Sequence, residues 1–326
     1  MKKSLPFVSI IILNYNSEKY LYDCLESVFK INYPKAKFEV ILADNNSSKN
    51  FDREIKDFKK MIKVLRLGKN YGYAKGNNLA SKEAKGDYFL FLNPDTKIDK
   101  NYFREIIKEI KQNIFSYCGK ILFMDNLDLI NSTGLLMTPI GVGIDRGINE
   151  KDGLKQYSKY IASASGAAFF CNALVFKKLG GFDENYFAYV EELDLGYRGW
   201  INGYSSIFIP KAVVHHKVGG VFGNTESPLR VYYSRRNGLS TMLKNFRSID
   251  LINGFIISLS LDATRLIKYL KNKEFNKISS LSRAYFDFFY NSNKTIEKRT
   301  PMSLPQKSDI HVSLLDSIKE TKRLEK

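Results

Sequence analysis

The chain has 326 residues, 44% hydrophobic and 26% charged, which is enough apolar material for a large packed domain and rules out a disordered chain. Its formal net charge of +17 favours polyanionic partners: anionic lipid headgroups, phosphorylated substrates or nucleic acid. No run reaches the roughly 20 apolar residues of a membrane span, and Cys24, Cys118 and Cys171 are too far apart in sequence for a disulfide framework or zinc site, as in a reducing compartment.

Met1 to Ser4 leads straight into a strand-like run broken by Asn14, too short for a signal peptide. Phe7 to Leu13 is β-branched and continuous, a strand buried on both faces. Ser17 is placed to cap the helix marked by Tyr20, Leu21, Cys24, Leu25, Val28 and Phe29. Phe38 to Ala43 reads as a second strand and Val64 to Leu67 as a third. Phe51, Ile55, Phe58 and Ile62 between them have helical spacing. A helix over Ala74 to Ala84, a strand over Tyr88 to Leu92 and a helix over Tyr102 to Ile110 complete a βαβα order. That order predicts a mainly parallel sheet flanked by helices, with ligands at the carboxyl ends of the strands.

From about 125 to 160, Gly134, Pro139, Gly141, Gly143 and Gly147 suggest loops or a hairpin, and order returns over Ser163 to Phe176. The chain turns helical after about 228 and becomes polar and Lys-rich after about 292. Leu251 to Leu261, bounded by Asp250 and Asp262, suits a buried or interfacial helix.

Three strand ends are polar: Asn14-Tyr15-Asn16, Asp44-Asn45-Asn46 and Asn93-Pro94-Asp95. Turn chemistry explains one such end; three on neighbouring parallel strands would converge on one crevice. A carboxylate at Asp95 would meet a diphosphate only through a divalent cation, Mg²⁺ or Mn²⁺, which takes oxygen ligands and substrate phosphates. Glu191, Glu192 and Asp194 form an acidic cluster among Phe182, Tyr186, Phe187, Tyr189 and Trp200, surroundings that raise a carboxylate's pKa and suit a general base. His215 and His216 end a strand-like run, so alternation allows at most one to ligate a metal. In Arg230 to Asn237, Arg230, Ser234 and Asn237 share a helical face, and Arg235 and Arg236 offer forks for phosphate.

Together these motifs resemble glycosyltransferase family 2 with the GT-A fold, from about Phe7 to Leu243. Val8 to Asn16 is similar to that family's opening strand and nucleotide loop, Val40 to Ser47 to its second strand, and Asn70 to Asn78 to the segment beside the nucleotide. Leu92-Asn93-Pro94-Asp95 stands where the family has Asp-x-Asp, and this Asn-Pro-Asp form resembles the rhamnosyltransferase-like branch. Gly180 to Glu184 and Glu191 to Leu195 are similar to the acceptor-side turn and the Glu-Asp motif, with Glu192 in place of the usual aspartate.

The resemblance implies an inverting, metal-dependent transfer of a sugar, with L-rhamnose from dTDP-rhamnose as the branch-level donor, to a polysaccharide or lipid-linked acceptor. Glu192 or Glu191, with Asp194, would be catalytic; Asp95 and His215 would hold Mg²⁺ or Mn²⁺. Asn14, Tyr15, Asn16, Asp44, Asn70, Gly72, Asn77, Asn93, Arg235 and Arg236 would bind the nucleotide sugar. The expected organisation is a catalytic domain over 1–246, divided near 125, a helical region over 247–291 and a basic tail over 292–326. Phe255, Ile256, Leu259, Leu266 and Ile267 mixed with Arg265, Lys268, Lys271 and Lys273 suit the cytoplasmic face of an anionic membrane or a homo-oligomer contact. The alternatives are a nucleotidyltransferase, disfavoured because Asn14-Tyr15-Asn16-Ser17 has no glycine, and a nucleotide-sugar-binding protein without catalysis. Nucleic acid is disfavoured as a partner because aromatic and basic residues do not interleave along one sheet face.

Overall fold

The computed structural model describes residues 4–217, 226–300 and 310–312. The first half runs β1 (Val8–Asn14), α1 (Glu18–Phe29), β2 (Phe38–Asp44), β3 (Lys63–Arg66), α2 (Gly72–Ser81), β4 (Tyr88–Leu92), β5 (Thr96–Ile98) and α3 (Tyr102–Lys108). Then follow β6 (Ile114–Phe123), β7 (Asn126–Ser132), β8 (Leu135–Met137), β9 (Gly143–Asp145), β10 (Tyr160–Ile161) and β11 (Ala168–Asn172). After α4 (Ala173–Lys178), α5 (Glu191–Ile201) and β12 (Ser205–His216) come four helices: α6 (Pro228–Asn245), α7 (Ser248–Lys271), α8 (Phe275–Tyr290) and α9 (Ser292–Ile296).

The main sheet has the order β10-β12-β6-β11-β4-β1-β2-β3, with β5 paired to β12 and β7 to β6. Strands β4, β1, β2 and β3 are parallel, β11 enters antiparallel between β4 and β6, and β12 runs parallel to β6. This is the mixed α/β architecture with a parallel centre that the strand and helix pattern predicts. The β-branched and aromatic runs of β1 and β4 are buried on both faces, as a helix-covered sheet requires. Phe89 and Phe91 of β4 pack against Phe169, Phe176 and Phe182, the aromatic centre of the core. The three cysteines are buried and free.

Two local expectations fail. Residues 52–61 make successive turns, not a helix. Glu54, Phe58 and Met61 each donate to the carbonyl three residues back, so Phe51, Ile55 and Phe58 reach the core without a helical ladder. The Ser17 hydroxyl does not cap α1; it donates to Asn14 Oδ1 at 2.8 Å. The hairpin expected in the glycine-rich stretch is β8–β9. The C-terminal helices are packed onto the rest by a buried Arg235–Asp262 ion pair between α6 and α7. Of the expected basic tail, 301–309 and 313–326 lie outside the described residues.

Candidate active site

The parallel register sets Asn14 beside Asp44 and Ile12 beside Leu92, so the polar ends of β1, β2 and β4 share one edge of the sheet. Asn14 Nδ2 donates to Ser47 Oγ at 3.0 Å, and Asn16 Oδ1 accepts from the Ser48 backbone at 2.8 Å, tying the first two strand ends together. Asp44 accepts from the Ser47 amide at 3.1 Å and lies 3.6 Å from Arg66. Tyr15 stays exposed. Asn70 accepts from the Gly72 amide and from Asn45 Nδ2. Gly72 has φ +75°, and a Cβ there would lie 2.2 Å from the Phe187 carbonyl oxygen, so this position lets the loop before α5 close onto α2. Asn77 is buried, its amide turned back to the Tyr73 carbonyl on its own helix.

At the end of β4 the chain turns through Asn93-Pro94-Asp95 into β5, which runs antiparallel along the end of β12 and opposes His216 to Thr96. Asp95 is buried, and its Oδ1 has no hydrogen-bond partner. That oxygen lies 3.4 Å from Nε2 of His216. His216 Nδ1 lies 2.9 Å from Asn131 Oδ1, so in the neutral ring with its proton on Nδ1 the Nε2 lone pair faces Asp95. Two electron-rich atoms directed at each other, one of them orphaned, fit a divalent cation that takes one carboxylate, one imidazole and substrate phosphates. His215, expected in this role, opposes Lys97 and lies near Asp99 on the other side of the strand. A register shift between Ile209 and Val213 interrupts the alternation of β12, so counting along the strand could not choose between the two rings.

The acidic pair sits at the start of α5, where Tyr189 and Val190 have φ of 69° and 75°. A β-branched residue in that region is strained. Asn237 Nδ2 donates to the carbonyls of Ala188 at 2.9 Å and Tyr189 at 2.7 Å and holds the strained turn. Burial raises the pKa of Glu192 to about 7, with the Asp145 charge adding to it and the Gly166 amide opposing it. Burial, and then the Glu192 charge, push the pKa of Glu191 well above its ordinary value as well. The Gly166 amide that binds Glu192 is one residue from Ala167, whose carbonyl accepts from the Asn93 amide at 3.0 Å. The Tyr73 hydroxyl closes the same segment, donating to the Gly166 carbonyl at 2.9 Å. The acidic pair and the Asp95–His216 pair are thereby brought together across a single strand end.

Besides His215, three expected site residues are placed elsewhere. Asp194 is fully buried between Arg198 at 2.9 Å and Lys244 at 2.8 Å; burial raises its pKa, but those cations outweigh it and hold the carboxyl below its ordinary value. Arg235 is buried against Asp262 at 2.6 Å and Ser258. Arg236 spends its guanidinium on Asn237 Oδ1 and the Asn185 carbonyl, orienting the amide that clamps Tyr189. For Asp194 and Arg235 the cause is the same: a charged side chain inside a packed helix layer needs a fixed partner.

Residues not singled out from the sequence also enter the site. Asp145, on β9, accepts from the Ser132 hydroxyl and feels both His216 and Arg230. Its charge also reaches Glu192, so Asp145 is coupled electrostatically to both the histidine and the base. Asn131 and Asp145 come from the stretch where sequence periodicity lapses, and no spacing signal marks them.

A parallel nucleotide-type sheet, an acid–histidine pair at a strand end and a raised carboxylate beside it define a GT-A glycosyltransferase. The chain belongs to glycosyl transferase family 2, whose model matches residues 9–175. The low-salt glycan biosynthesis hexosyltransferase Agl10 of Haloferax volcanii is 26% identical over 286 residues, 83% of this chain and 87% of that one. Rhamnosyltransferase WbbL of Escherichia coli K12 is 25% identical over 217 residues, 62% of this chain and 80% of that one. Poly(ribitol-phosphate) β-N-acetylglucosaminyltransferase TarS of Staphylococcus aureus is 34% identical over 100 residues, 30% of this chain and only 18% of its own length. Among solved structures, GalNAc-T7 with UDP, GalNAc and Mn²⁺ superposes with a TM-score of 0.59 at 18% identity, covering 74% of this chain and 49% of that one. The mannosyltransferase PcManGT of Pyrobaculum calidifontis with GDP-Man and Mn²⁺ gives 0.58 at 13%, covering 89% and 88%. These superpositions show the shared fold.

Proposed function

We propose that this protein transfers a hexosyl group from a nucleoside-diphosphate sugar to a cell-surface glycan or its lipid-linked precursor in one inverting displacement, at an anionic membrane surface. The observation that carries the reading is the convergence of Asp95 and His216 with Glu192 through the Asn93–Ala167 and Gly166 contacts. Rhamnosyl transfer from dTDP-rhamnose is the first donor to test, on the Asn-Pro-Asp sequence and the likeness to WbbL.

The acceptor hydroxyl oxygen forms a bond to the anomeric carbon as the bond from that carbon to the diphosphate oxygen breaks. The acceptor's proton passes to Glu192, whose pKa near 7 suits a general base at neutral pH. The nucleoside diphosphate leaves with the bonding electron pair. Asp95 and His216 would hold Mg²⁺ or Mn²⁺, which supplies Lewis-acid neutralisation of the leaving diphosphate. The ends of β1 and β2, through Asn14, Asn16 and Asp44, together with Asn70 in the loop before α2, are assigned to the nucleoside.

The test is a panel of dTDP-, UDP- and GDP-sugars, scored by thermal shift with and without Mn²⁺ and by product formation on a glycan acceptor. A metal-dependent shift with one donor, and a product of inverted anomeric configuration by NMR, is the expected result. Retention of configuration would overturn the displacement, and binding without turnover on any acceptor would leave only a sugar-nucleotide-binding protein.

A further inference from the structure

Helix α7 buries one side and leaves the other open. Gly254, Ser258, Asp262 and Tyr269 face inward, and a Cβ at Gly254 would lie 2.4 Å from the Pro139 carbonyl oxygen, so α7 is seated on the β8–β9 hairpin that carries Asp145. Ile249, Ile252, Ile256, Leu259, Ile267 and Leu270 recur at helical spacing on the other side, each 48–58% exposed. A 24-residue helix is roughly 36 Å long, so this is a continuous apolar stripe. Phe255 of α7 meets Phe289 at the end of α8, and Phe289 with Tyr290 extends the exposed surface. Phe255 and Leu266, which sequence spacing grouped with the stripe, are instead partly buried against the core.

The charges beside the stripe select its occupant. Residues 247–300 hold ten Lys and Arg against five Asp and Glu. Each acid of α7 and α8 is already engaged: Asp250 with Arg247, Asp262 with Arg235 and Arg265, and Asp287 with Tyr232 and Arg283. Glu274, just before α8, pairs with Lys277. Lys271 and Lys273 at the end of α7 form no ion pair among the described residues, so a second copy of this face would meet them with cations or with acids already paired. No helix among the described residues is long and apolar enough to cross a membrane. An apolar stripe ended by cations matches helices that lie in the plane of an anionic bilayer.

We propose that the outer face of α7 and the end of α8 dock this protein on an anionic lipid surface. The inference rests on the transferase reading only for the acceptor it implies, a lipid-linked one presented toward the hairpin half of the site. The experiment is co-sedimentation of the full chain with vesicles of phosphatidylcholine alone or mixed with phosphatidylglycerol, at low and high salt, with no sugar donor present. Binding that needs phosphatidylglycerol, weakens in salt, and falls by about tenfold or more in Ile252→Glu/Ile256→Glu is expected, as is a smaller loss in Lys271→Glu/Lys273→Glu. Both variants should keep the wild-type melting temperature and the wild-type rate on a soluble glycan acceptor, so that loss of docking is separate from loss of transfer. Failure of the wild type to sediment with either vesicle would overturn the proposal. So would a dimer in analytical ultracentrifugation that Ile252→Glu/Ile256→Glu converts to monomer without vesicle binding.

Discussion

The side-chain amide of Asn237 donates to the carbonyl of Tyr189 at 2.7 Å, one residue before Val190, which is held at φ 75°. A helix of the C-terminal layer thus fixes the backbone from which Glu191 and Glu192 project. The clamp satisfies two buried carbonyls and stabilises a conformation that costs of order 1–3 kcal/mol for a residue such as valine. Asn237→Ala is expected to lower stability by about 1–3 kcal/mol and kcat by more than about tenfold, read by thermal melting and steady-state assay. Unchanged kcat in a destabilised variant would show that the strained turn holds its geometry without the clamp.

Glu192 makes a prediction in which activity and stability move in opposite directions. Its pKa, raised to about 7 by burial, means the folded protein holds this proton while the unfolded chain releases it near the ordinary value of 4.5. The favourable contribution of the protonated carboxyl is therefore present below about pH 4.5 and lost as pH rises through 7, where a charge must be kept in a poorly solvated place. Glu192→Gln removes that charge. It should melt higher than wild type at pH 8, by roughly 2 kcal/mol given the partial exposure of the side chain, and the gain should shrink as pH falls and vanish below about pH 4.5. The same variant should lose about 100-fold or more in kcat. In the wild type, kcat should fall on the acid side with an apparent pKa near 7.

Much of this site could be read from the sequence because strands buried on both faces are continuous apolar runs, and their polar ends are conspicuous. Asn14, Asp44, Asn93 and Asp95 were visible for that reason, and so was the acidic pair among its aromatic neighbours. Side-chain direction was not legible where the backbone departs from regularity. The register shift in β12 hid the choice between His215 and His216, and the left-handed pair at Tyr189 and Val190 precedes α5 without a glycine to mark it. Long-range partners were equally hidden: nothing near Arg235 announces Asp262, and nothing near His216 announces Asn131.

The two histidines separate cleanly by mutation. His216→Ala should raise the Mn²⁺ concentration needed for half-maximal activity by more than about 100-fold, since removing even a group that only orients a metal ligand costs about 10- to 100-fold. His215→Ala, on the far side of the strand beside Lys97 and Asp99, should leave metal dependence within about twofold of wild type. Asn131→Ala should fall between them, because it frees the ring without removing it. The measurement is activity against Mn²⁺ titration; equal effects from both histidines would place the cation somewhere other than Asp95.

Arg235 tests whether the arginines of α6 serve phosphate or packing. Its guanidinium is buried with Asp262, and the Tyr285 hydroxyl donates to the same carboxylate at 2.7 Å. Removing the guanidinium leaves the buried Asp262 with only the half-exposed Arg265 and the Tyr285 hydroxyl beside it, so Arg235→Ala should cost stability at the lower end of about 3–5 kcal/mol. A ligand to the diphosphate would instead raise the donor KM with little change in melting temperature. Chemical denaturation and donor kinetics on the same preparation decide between them.

Asp145 is the residue whose effect is hardest to guess from its position on a short hairpin and easiest to measure. Burial raises its own pKa, the Ser132 hydroxyl and the nearby His216 and Arg230 pull it back, and in its ionised form it adds to the pKa of Glu192. Asp145→Asn keeps the shape and the bond to Ser132 but deletes the charge. Glu192 should then ionise more readily, moving the acid limb of the kcat profile to lower pH by under about one pH unit. At pH 6 the variant should therefore retain a larger fraction of its own maximum than the wild type, while its plateau above pH 8 falls modestly because a less basic carboxylate accepts the acceptor proton less well. A profile that keeps its midpoint while the plateau drops would mean that Asp145 acts by contact with the acceptor and not through the charge on Glu192.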